Sequence, residues 1–450
     1  MKNLTLENII AACRGTWCGD AALLREEITS VTTDSRTVTP GCLFAAIPGE
    51  RADGHDFAAA ALRSGALCVL VQRIPEGAEG RCICVPDTVA ALQAIAAFYR
   101  AQFDIPVFGI TGSVGKTTAK EIVAAVLGQR FRVHKTAGNF NNDLGVPLTL
   151  FGLNESHEAA VIEMGVSHPG DMERLAETVQ PTSMLYTVIG HAHLEFLKSR
   201  EGIFEEKTSA NAHLPDGGTV FCSGDDDLLA AMTCRQKKVL FGLGENCGVR
   251  AEQIKNLPDG TTECTVVCGD RRFRVSIPAY GDHMVQAALE GAAVGMEMGL
   301  SDEEIAAGIA DYVPVGRRAR LLKTAKLTIV DDCYNANPTS TASAIRSLAH
   351  AAGRKICILG DMLELGEDSD ALHFGVGTLA VSCGIDLVLT VGPASAETAR
   401  GAGARGRHFA DKAALIEALP QLVEPGDTVL VKASHSMAFE EITAVLEAMR

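Results

Sequence analysis

Residues 107–127 read VFGITGSVGKTTAKEIVAAVL, and this stretch decides the fold of the middle of the chain. The apolar run predicts a buried strand, a glycine-containing turn follows, and a helical pattern begins near Lys116. In such a turn glycines allow backbone N–H groups to face an anion, and the helix N-terminus adds a positive dipole. The stretch therefore predicts a loop that binds the phosphates of ATP or GTP.

The loop departs from the complete phosphate-loop pattern G-x-x-x-x-G-K-[ST], because Ile110 stands five residues before Gly115. A glycine turn that merely starts a helix is the alternative interpretation. In the complete pattern the lysine reaches the β- and γ-phosphates, and the next hydroxyl binds Mg²⁺. We therefore expect Lys116 to contact phosphate and Thr117 to contact Mg²⁺. The predicted nucleotide-binding residues of the loop are Gly112, Ser113, Val114, Gly115, Lys116, Thr117 and Thr118.

Composition excludes several classes of protein. The 450 residues include 40 basic and 56 acidic side chains, a net charge of −16, which argues against binding to nucleic acid or to an anionic membrane surface. The first residues do not resemble a signal peptide, and no window approaches the roughly 20 apolar residues of a membrane span. The fourteen cysteines form no C-x-x-C pair and no zinc pattern. We expect reduced thiols in a cytoplasmic protein without membrane insertion.

The chain divides into three predicted α/β domains, at residues 1–104, 105–314 and 315–450. The first combines β-branched runs with two helices, predicted at 57–64 and 90–102, around a strand at 67–72. The second alternates apolar strands with helices, which predicts a mostly parallel sheet. In the third, LTIVDDCY, KICILGDM, LVLTVG and DTVLVKAS predict a smaller α/β sheet. Ligands gather at the carboxyl ends of such strands, where the polar clusters of the third domain stand.

Two further strand ends carry candidate metal ligands. Glu163 follows the apolar run at 159–162 and fits the acid that holds Mg²⁺ opposite a phosphate loop, although a surface carboxylate is the alternative. His191 and His193 follow another predicted strand. Because Mg²⁺ prefers oxygen ligands, a histidine here could equally be a turn residue.

A series of motifs then occurs in a distinctive order. The chain contains TGSVGKTT, NFNNDLGVPLTL, VIEMGVSHPGDM, HAHLEFL, FEEKTSA, DDCYNANPTS and LGDMLELGE. In this it resembles the Mur ligases, ATP-dependent amide-forming enzymes of peptidoglycan precursor synthesis, over nearly its whole length. YNANP, GDMLELGE and the first-domain segment TDSRTVTPGCLFAAIPGERADGHDF point to the member that joins D-alanyl-D-alanine to UDP-N-acetylmuramoyl-tripeptide. The D-N-P-R-type segment of sister ligases is not found in the third domain.

The resemblance implies a uridine-nucleotide-binding first domain, a central phosphate-loop ATPase-like domain and a Rossmann-like C-terminal domain. It implies ATP and Mg²⁺ as cofactors, with Glu163 and His193 as metal ligands. It places Arg317 on the γ-phosphate, although neighbouring Arg318 could compete for that role. The positions implied near adenosine are Asp332, Asn335 and Asn337. Those implied for the two other substrates are Ser35, Arg36, Asn139, Asn142, Asp361, Lys432 and Ser434.

Lys207 stands in a predicted helix and shares a face with Ile203. A lysine whose stem packs while its ammonium stays solvated is one interpretation. The resemblance implies another, because the matching lysine of the family is commonly carbamylated by CO₂ and the carbamate could help to hold a second Mg²⁺ beside His193. Carbamylation requires a neutral amine, which burial favours by lowering the pKa of a lysine.

Two segments depart from the family pattern. The family's G-x-H-N-x-x-N has lost both asparagines, to Met284 and Ala287, which puts the expected adenine contacts in doubt. The family's K-G-S-R-S is KASHS here, and His435 in place of arginine weakens an expected carboxylate contact.

The reaction implied is ligation through an acyl phosphate. The substrate carboxylate attacks the γ-phosphorus of ATP, and the amine of D-alanyl-D-alanine then displaces phosphate. Lys116, Arg317 and Mg²⁺ would neutralise the transferring phosphoryl group. We expect a monomer acting on these small substrates. A Mur or folate-polyglutamating type ligase with a different acceptor is the alternative within enzymes, and a nucleotide-hydrolysing switch is the alternative outside them.

Overall fold

The chain forms three α/β units, each built around its own sheet. In the computed structural model, residues 1–49, 52–257, 260–279 and 281–449 are described. The first sheet has the order β1-β5-β4-β3-β2, and β1 alone runs antiparallel to its neighbour among these strands. Its strands are β1 Thr16–Gly19, β2 Val31–Thr32, β3 Leu43–Ala45, β4 Cys68–Val71 and β5 Arg81–Cys84. The helices of this unit are α1 Leu6–Cys13, α2 Ala58–Arg63 and α3 Thr88–Arg100.

The central sheet has the order β14-β13-β12-β11-β10-β9-β6-β8-β7. Pairing is parallel from β7 to β12 and antiparallel at β12–β13–β14. Its strands are β6 Val107–Thr111, β7 Val133–Lys135, β8 Ala159–Glu163, β9 Ser183–Tyr186, β10 Thr219–Ser223, β11 Lys237–Gly242, β12 Val249–Asn256, β13 Thr262–Cys268 and β14 Arg271–Ile277. Its helices are α4 Lys116–Leu127, α5 Gly145–Leu150, α6 Asp171–Val179, α7 Leu194–Leu197, α8 Arg200–Thr208, α9 Asp227–Ala231, α10 Asp282–Glu297 and α11 Asp302–Ala310.

The third sheet has the order β15-β16-β20-β17-β18-β19, parallel except for the β15–β16 pair. Its strands are β15 Arg320–Lys323, β16 Thr328–Asp331, β17 Lys355–Gly360, β18 Leu387–Val391, β19 Gly406–Phe409 and β20 Thr428–Lys432. Its helices are α12 Pro338–Ala349, α13 Ser369–Ser382, α14 Ser395–Gly401, α15 Lys412–Leu422 and α16 Glu440–Ala448. Short 3₁₀ helices lie at Ala21–Arg25, Ser35–Thr37, Gly54–Phe57, Ser209–His213, Gly366–Asp368, Gly403–Arg405 and His435–Met437.

The first two units share one hydrophobic core, because the apolar face of α3 packs against α5 and α6 of the central unit. Tyr99 donates a hydrogen bond of 2.7 Å to the carbonyl of Leu153, and the buried guanidinium of Arg100 donates to the carbonyl of Val179 at 3.1 Å. The third unit has cores of its own and meets the central unit through α12, which contacts α10 and the loop after β9, and through Glu364, which contacts His193. A large cavity therefore opens between the second and third units.

The predicted α/β class is confirmed, and the apolar runs singled out in the sequence form strands. The helix predicted around Lys207 is α8, which is followed directly by a 3₁₀ helix. Strands β12, β13 and β14 were not predicted. β12 and β14 alternate more and less buried side chains. β13 is mostly buried but includes the polar residues Thr262, Glu263 and Thr265, so none of the three has the continuous apolar run of the parallel strands. All fourteen cysteines are free thiols. Within the described residues, no helix has the length and apolarity needed to cross a bilayer.

Candidate functional site

The phosphate loop lies between the end of β6 and the start of α4. Gly112 has φ +151°, and a Cβ atom there would lie 1.9 Å from the hydroxyl oxygen of Thr187. Gly115 has φ +86° and precedes the first residue of α4. Gly112 is required because the Thr187 side chain leaves no room for a Cβ atom. Gly115 is required because its backbone is left-handed. Thr187 in turn donates a hydrogen bond of 2.5 Å to the carbonyl of Val114. The loop is thus held from the neighbouring strand end, with its helix N-terminus facing the cavity.

The Lys116 ammonium folds back over this loop. Its Nζ donates a hydrogen bond of 2.7 Å to the carbonyl of Gly112. Desolvation lowers the pKa of Lys116, while the Glu163 carboxylate opposes that effect. The side chain therefore lies where an incoming phosphate could take the place of the carbonyl oxygen as its partner. The neighbouring hydroxyl of Thr118 also lines the cavity.

Glu163 and Thr117 form the pair that the sequence predicted as metal ligands. Thr117 Oγ1 donates a hydrogen bond of 3.1 Å to Glu163 Oε1, and Asn141 Nδ2 donates to the same oxygen at 2.7 Å. Glu163 is 1% exposed, and its Oε2 has no hydrogen-bond partner among the residues that the structure describes. A buried carboxylate oxygen without a hydrogen bond is costly, and a cation at this point would offset the cost.

These ligands fit Mg²⁺. No group of three or more His, Cys, Asp or Glu side chains in the described part of the chain could hold a metal on its own. Mg²⁺ nevertheless fits, because it commonly uses one or two protein oxygens and completes its octahedron with phosphate oxygens and water. The hydroxyl of Thr117 and the carboxylate of Glu163 supply these protein oxygens.

Lys120 is a residue of this site that the sequence did not indicate. It is fully buried, its Nζ lies 4.0 Å from Glu163 Oε2, and it donates to the carbonyls of Thr136 at 2.8 Å and Gly138 at 3.1 Å. Glu121 provides its close ion-pair partner at 3.0 Å. Its spacing of four residues from Lys116 on α4 places both lysines on one face of the helix, and this spacing could have indicated Lys120 from the sequence. It holds the segment that leads to Asn141 against the loop.

His193 joins the central unit to the third unit. Its backbone is left-handed, with φ +60°, and its Nδ1 lies 2.5 Å from Oε2 of Glu364, which is itself at φ +62°. Burial lowers the pKa of His193, Lys116 and Lys207 add to that shift, and Glu364 opposes it. A carboxylate on Nδ1 fixes the tautomer in which Nε2 keeps a lone pair, which is the arrangement that histidine metal ligands commonly use.

Lys207 faces inward on α8 and is fully buried. Its Nζ has no hydrogen-bond partner among the described residues. Desolvation lowers the pKa of Lys207 well below the usual lysine value, and the positive charge of Lys116 lowers it further. Both effects favour the neutral, nucleophilic amine, which is the state that carbamylation requires. The solvated-lysine interpretation does not hold for this burial.

The loop opens into a cavity of about 1460 Å³ whose walls come from the central and third units. From the central unit it is lined by the residues at 113–118, by Asn139, Asn141, Asn142, Glu163 and His193, and by part of α10. Asn142 accepts a hydrogen bond of 2.8 Å from the N–H of Gly145 at the start of α5, whereas Asn139 is exposed. Of the third-unit predictions, Asp332, Asn335, Asn337 and Lys432 line the cavity.

Several of these third-unit side chains are already engaged. Lys432 Nζ donates to Asp332 Oδ2 at 2.5 Å and to the carbonyl of Asn335 at 3.0 Å. Asn337 caps α12 by accepting a hydrogen bond of 2.8 Å from the N–H of Ser340. These residues shape the cavity wall through the loop after β16. Lys432, one of the positions that the resemblance implies for a substrate, ties β20 to that loop.

Asp361 and Ser434 are not among the described residues that line the cavity. Both are buried. Asp361 Oδ1 accepts a hydrogen bond of 2.7 Å from the N–H of Ser395, and Ser434 Oγ accepts one of 3.0 Å from the N–H of Leu363. The first contact ties the loop after β17 to the start of α14, and the second ties it to the loop after β20. In this conformation they are structural residues of the third unit.

Arg317 and Arg318, which lie between α11 and β15, contact different parts of the protein. Arg317 Nη1 donates to Asp331 Oδ2 at 2.8 Å, and Arg317 is not among the described residues that line the cavity. Arg318 does line it, with its guanidinium 3.8 Å from the ring centroid of Tyr334. Arg318 is also close enough to lower the pKa of Lys116. Arg318, and not the expected Arg317, therefore lies on the wall of the cavity that also contains Lys116 of the phosphate loop.

Ser35 and Arg36 lie in the first unit, at the 3₁₀ helix after β2. The Arg36 guanidinium is 87% exposed and forms two-point contacts with Asp34, with 2.9 Å between Nε and Oδ1 and 2.7 Å between Nη2 and Oδ2. These contacts hold the pKa of Asp34 at about 2. Neither Ser35 nor Arg36 is found among the described residues that line the cavity. A substrate bound here would have to extend from the first unit toward the loop.

The same three units are found in comparisons with known proteins. Residues 27–100 match the Mur ligase family catalytic domain, residues 110–295 the Mur ligase middle domain, and residues 317–435 the Mur ligase glutamate ligase domain. The chain is also 37% identical to the UDP-N-acetylmuramoyl-tripeptide–D-alanyl-D-alanine ligase of Bacillus subtilis, with 98% of each chain covered. The chain belongs to the Mur ligase family.

Solved structures of Mur ligases share the arrangement of the units. A crystal structure of MurF from Acinetobacter baumannii superposes with a TM-score of 0.92 at 30% identity, covering 99% of each chain. MurF ligase from Thermotoga maritima, in complex with ADP, gives a TM-score of 0.84 at 29% identity, covering 93% of this chain and 97% of its own. This chain is therefore a Mur ligase that spans the full length of these relatives.

Proposed function

We propose that this Mur ligase joins D-alanyl-D-alanine to the terminal carboxylate of UDP-N-acetylmuramoyl-tripeptide, with hydrolysis of ATP to ADP and phosphate. The observation that carries the proposal is the phosphate loop, with Thr117 on Glu163, at the mouth of a cavity shared by the central and third units. Similarity over 98% of the chain to a ligase of that name supports the choice of substrates.

The cavity residues suggest a division of labour. Backbone N–H groups of the loop and Lys116 bind the phosphates, and Thr117 and Glu163 hold Mg²⁺, which neutralises phosphate charge when bound. Arg318 supplies a second positive charge on the opposite wall. We assign this role to Arg318, because Arg317 is held by Asp331.

The substrate carboxylate attacks the γ-phosphorus, the β–γ phosphoanhydride bond breaks, and ADP leaves as the acyl phosphate forms. The amine of the dipeptide then attacks the acyl carbon, loses a proton, and displaces phosphate. No serine or cysteine nucleophile is needed, because the phosphoryl group transferred from ATP makes phosphate the leaving group. The chain must orient the two reactants and exclude water from the acyl phosphate. Because the cavity walls come from the central and third units, closure of one unit onto the other would orient the reactants and exclude water.

We further propose that Lys207 carries a carbamate. Its amine is buried without a hydrogen-bond partner among the described residues, and its lowered pKa favours the neutral form that carbamylation needs. In that step the nitrogen attacks the carbon of CO₂, and one N–H proton leaves to solvent. The resulting anion would lie in the same region as His193, whose pKa responds to the charge of Lys207. A second Mg²⁺ would be held by these two residues.

The three proposed domains, 1–104, 105–314 and 315–450, would then bind the uridine nucleotide, ATP and the dipeptide. A monomer is sufficient, because both walls of the cavity come from one chain. A cytoplasmic location is supported by fourteen free thiols, since reduced cysteines are typical of that compartment.

The decisive experiment is an ADP-release assay with UDP-linked muramoyl tripeptides. We expect release to require both the tripeptide and an acceptor, and D-alanyl-D-alanine to have a higher kcat/KM than any single amino acid. A preference for lysine or meso-diaminopimelate would instead assign the chain to a sister activity. ADP release without either substrate would indicate a hydrolysing switch and contradict the proposal.

A further inference from the structure

The loop after β9 carries His193, and its base is fixed within the central unit. The N–H of Ile189 donates a hydrogen bond of 2.8 Å to Asp226 Oδ2, and the Ile189 carbonyl accepts one of 2.7 Å from Arg200 Nε. Asp226 precedes α9, and Arg200 is the first residue of α8. These contacts set the direction in which the loop leaves the sheet, whereas the imidazole of His193 lies at the far end of the loop.

The third unit contacts that far end at two places. At α12, Thr339 Oγ1 accepts a hydrogen bond of 3.3 Å from the N–H of His191. In the loop after β17, Oε2 of Glu364 lies 2.5 Å from Nδ1 of His193. The Glu364 carbonyl also accepts a hydrogen bond of 3.2 Å from the N–H of Glu195. The third unit therefore holds both the backbone and the ring of this segment.

Gly190 shows how closely α12 approaches the loop. A Cβ atom at Gly190 would lie 2.3 Å from Thr339 Oγ1 and 2.8 Å from Thr339 Cβ. The backbone of Gly190 is not left-handed, so the requirement for glycine comes from the approach of Thr339 and not from the backbone. A side chain added at Gly190 would thus push α12 away from the loop while His193 and Glu364 stay unchanged.

Glu364 belongs to a segment that is anchored in the third unit on both sides. The N–H of Leu363 donates a hydrogen bond of 3.0 Å to Ser434 Oγ. Leu365 is buried in one of the hydrophobic cores of the third unit. Because both neighbours are fixed, the position of the Glu364 carboxylate follows the position of the third unit.

His193 and Glu364 both have left-handed backbones, with φ +60° and +62°. Residues other than glycine avoid this region, and they remain in it only where the surrounding structure holds them, which is common at functional sites. An ionised carboxylate can only accept a hydrogen bond. Glu364 therefore keeps the proton of a neutral imidazole on Nδ1 and leaves the Nε2 lone pair available to a metal ion.

We propose that Glu364 is a positioning residue that orients His193 from the third unit, so that the histidine is set for its metal ion only when the third unit is docked on the loop after β9. The inference rests on the proposed role of His193 as a metal ligand. In this role Glu364 acts through the imidazole and touches neither the metal ion nor the phosphates. Docking and the tautomer of His193 are then coupled, and by reciprocity whatever favours one favours the other.

The test measures the tautomer of His193 by ¹⁵N NMR on protein labelled at histidine, in the presence of ADP and Mg²⁺. Spectra are recorded at about pH 8, where an imidazole with a lowered pKa is neutral. A His193→Gln spectrum identifies the signals. The variants are Glu364→Ala, Glu364→Gln and Gly190→Ala. Glu367→Ala is the matched control, because Glu367 is an exposed glutamate in the same segment.

Docking is measured on the same proteins by hydrogen exchange with mass spectrometry. Amides of residues 187–195 and 361–366 report the contact between the two units. Amides of β6, a fully buried strand of the central sheet, report whether a variant is folded.

In the wild type we expect His193 to be protonated on Nδ1. Glu364→Ala should shift the proton toward Nε2, the tautomer that predominates in unconstrained histidine. Glu364→Gln keeps an amide oxygen as acceptor and should restore the Nδ1 form. Gly190→Ala should speed exchange in both segments and shift the tautomer, although it retains His193 and Glu364. Glu367→Ala should match the wild type.

Steady-state rates provide a second measurement. Glu364→Ala should raise the Mg²⁺ concentration needed for half-maximal rate by about 10–100-fold, the usual effect of removing the partner of a histidine metal ligand. The KM for the dipeptide should be unchanged, whereas a direct contact of Glu364 with the dipeptide would raise it.

The inference is overturned if Glu364→Ala keeps the wild-type tautomer. It is also overturned if Gly190→Ala speeds exchange in both segments and the tautomer does not change, because docking would then not set the histidine. Either outcome leaves the ligase proposal standing, since ADP release by the wild type with both substrates is unaffected. A wild type without ligation would overturn the ligase proposal and leave the tautomer of His193 measurable.

Discussion

Thr117 and Glu163 are 46 positions apart in the sequence, yet a hydrogen bond of 3.1 Å joins Thr117 Oγ1 to Glu163 Oε1. Thr117 is the second residue of α4, and Glu163 ends β8, the strand that lies between β6 and β7 in the sheet. The contact joins a phosphate loop and an acidic strand end into one oxygen-lined site.

Glu163→Gln should reduce kcat by about 10²–10³-fold and raise the Mg²⁺ concentration needed for half-maximal rate. The amide can still accept from Thr117 and Asn141, so the fold should remain intact, but its negative charge is lost. Steady-state rates across a Mg²⁺ titration measure the effect. Glu158→Gln, near the opposite end of the same strand and paired with Arg132, is the control. An unchanged Mg²⁺ dependence would remove Glu163 from the metal site.

Lys116→Ala should abolish ligation without unfolding the protein. Its ammonium contacts a loop carbonyl and is not part of the core, so the free energy of unfolding should change by no more than about 0.5 kcal/mol. Amide formation and thermal unfolding are measured together. Lys237→Ala, at an exposed ion pair with Glu297 outside the cavity, should behave as wild type. Activity near the wild-type level with an intact fold would contradict the phosphate-loop assignment.

Lys207→Ala should be nearly inactive and partly rescued by a short-chain carboxylate such as acetate, which can occupy the space of the carbamate. With ¹³C-labelled bicarbonate, wild-type protein should show a carbamate carbon resonance that Lys207→Met lacks. Lys207→Met keeps the length of the buried side chain and should fold, because it replaces an amine without a described hydrogen bond. Full activity of Lys207→Met at saturating Mg²⁺ and ATP would exclude Lys207 from the mechanism.

Lys207 should also impose a pH dependence on stability. Its pKa in the folded protein is well below the unfolded value of about 10.4, so the unfolded chain binds an extra proton between the two values. Stability should therefore rise with pH through that window, by about 1.4 kcal/mol per pH unit for one proton. Subtracting the unfolding curve of Lys207→Met in CO₂-free buffer isolates this contribution. A pH-independent difference between the two proteins would show that the amine is charged in the folded state.

Arg318→Ala should lower kcat more than Arg317→Ala does, because only Arg318 lines the cavity. Arg317→Ala should mainly destabilise the protein, since it removes the partner of the buried Asp331 carboxylate. The loss should be near 1 kcal/mol, because Arg317 is 41% exposed and solvent screens the pair. Steady-state kinetics and urea unfolding of both variants distinguish the two roles. The reverse ranking of kcat would return the phosphate role to Arg317.

The sequence by itself determined the α/β class and the phosphate loop. These features are local: an apolar run followed by glycines and a helix specifies a strand, a turn and a helix start. The burial of Lys207 was also within reach, since it shares a helix face with Ile203. The antiparallel strands β12 to β14 were missed, because half-exposed strands lack a continuous apolar run.

Only the tertiary structure decided which side chains meet. The sequence did not distinguish the roles of Arg317 and Arg318, because they are adjacent residues of the same type. Only the backbone conformation decides where each side chain points. Lys432, expected at the dipeptide, is held by Asp332 from another strand end. Likewise, the amide of Gln286 donates a hydrogen bond to Asp225, which is 61 positions away in the sequence. Contacts of this kind depend on how sheets and helices pack across the chain, and local sequence patterns do not encode them.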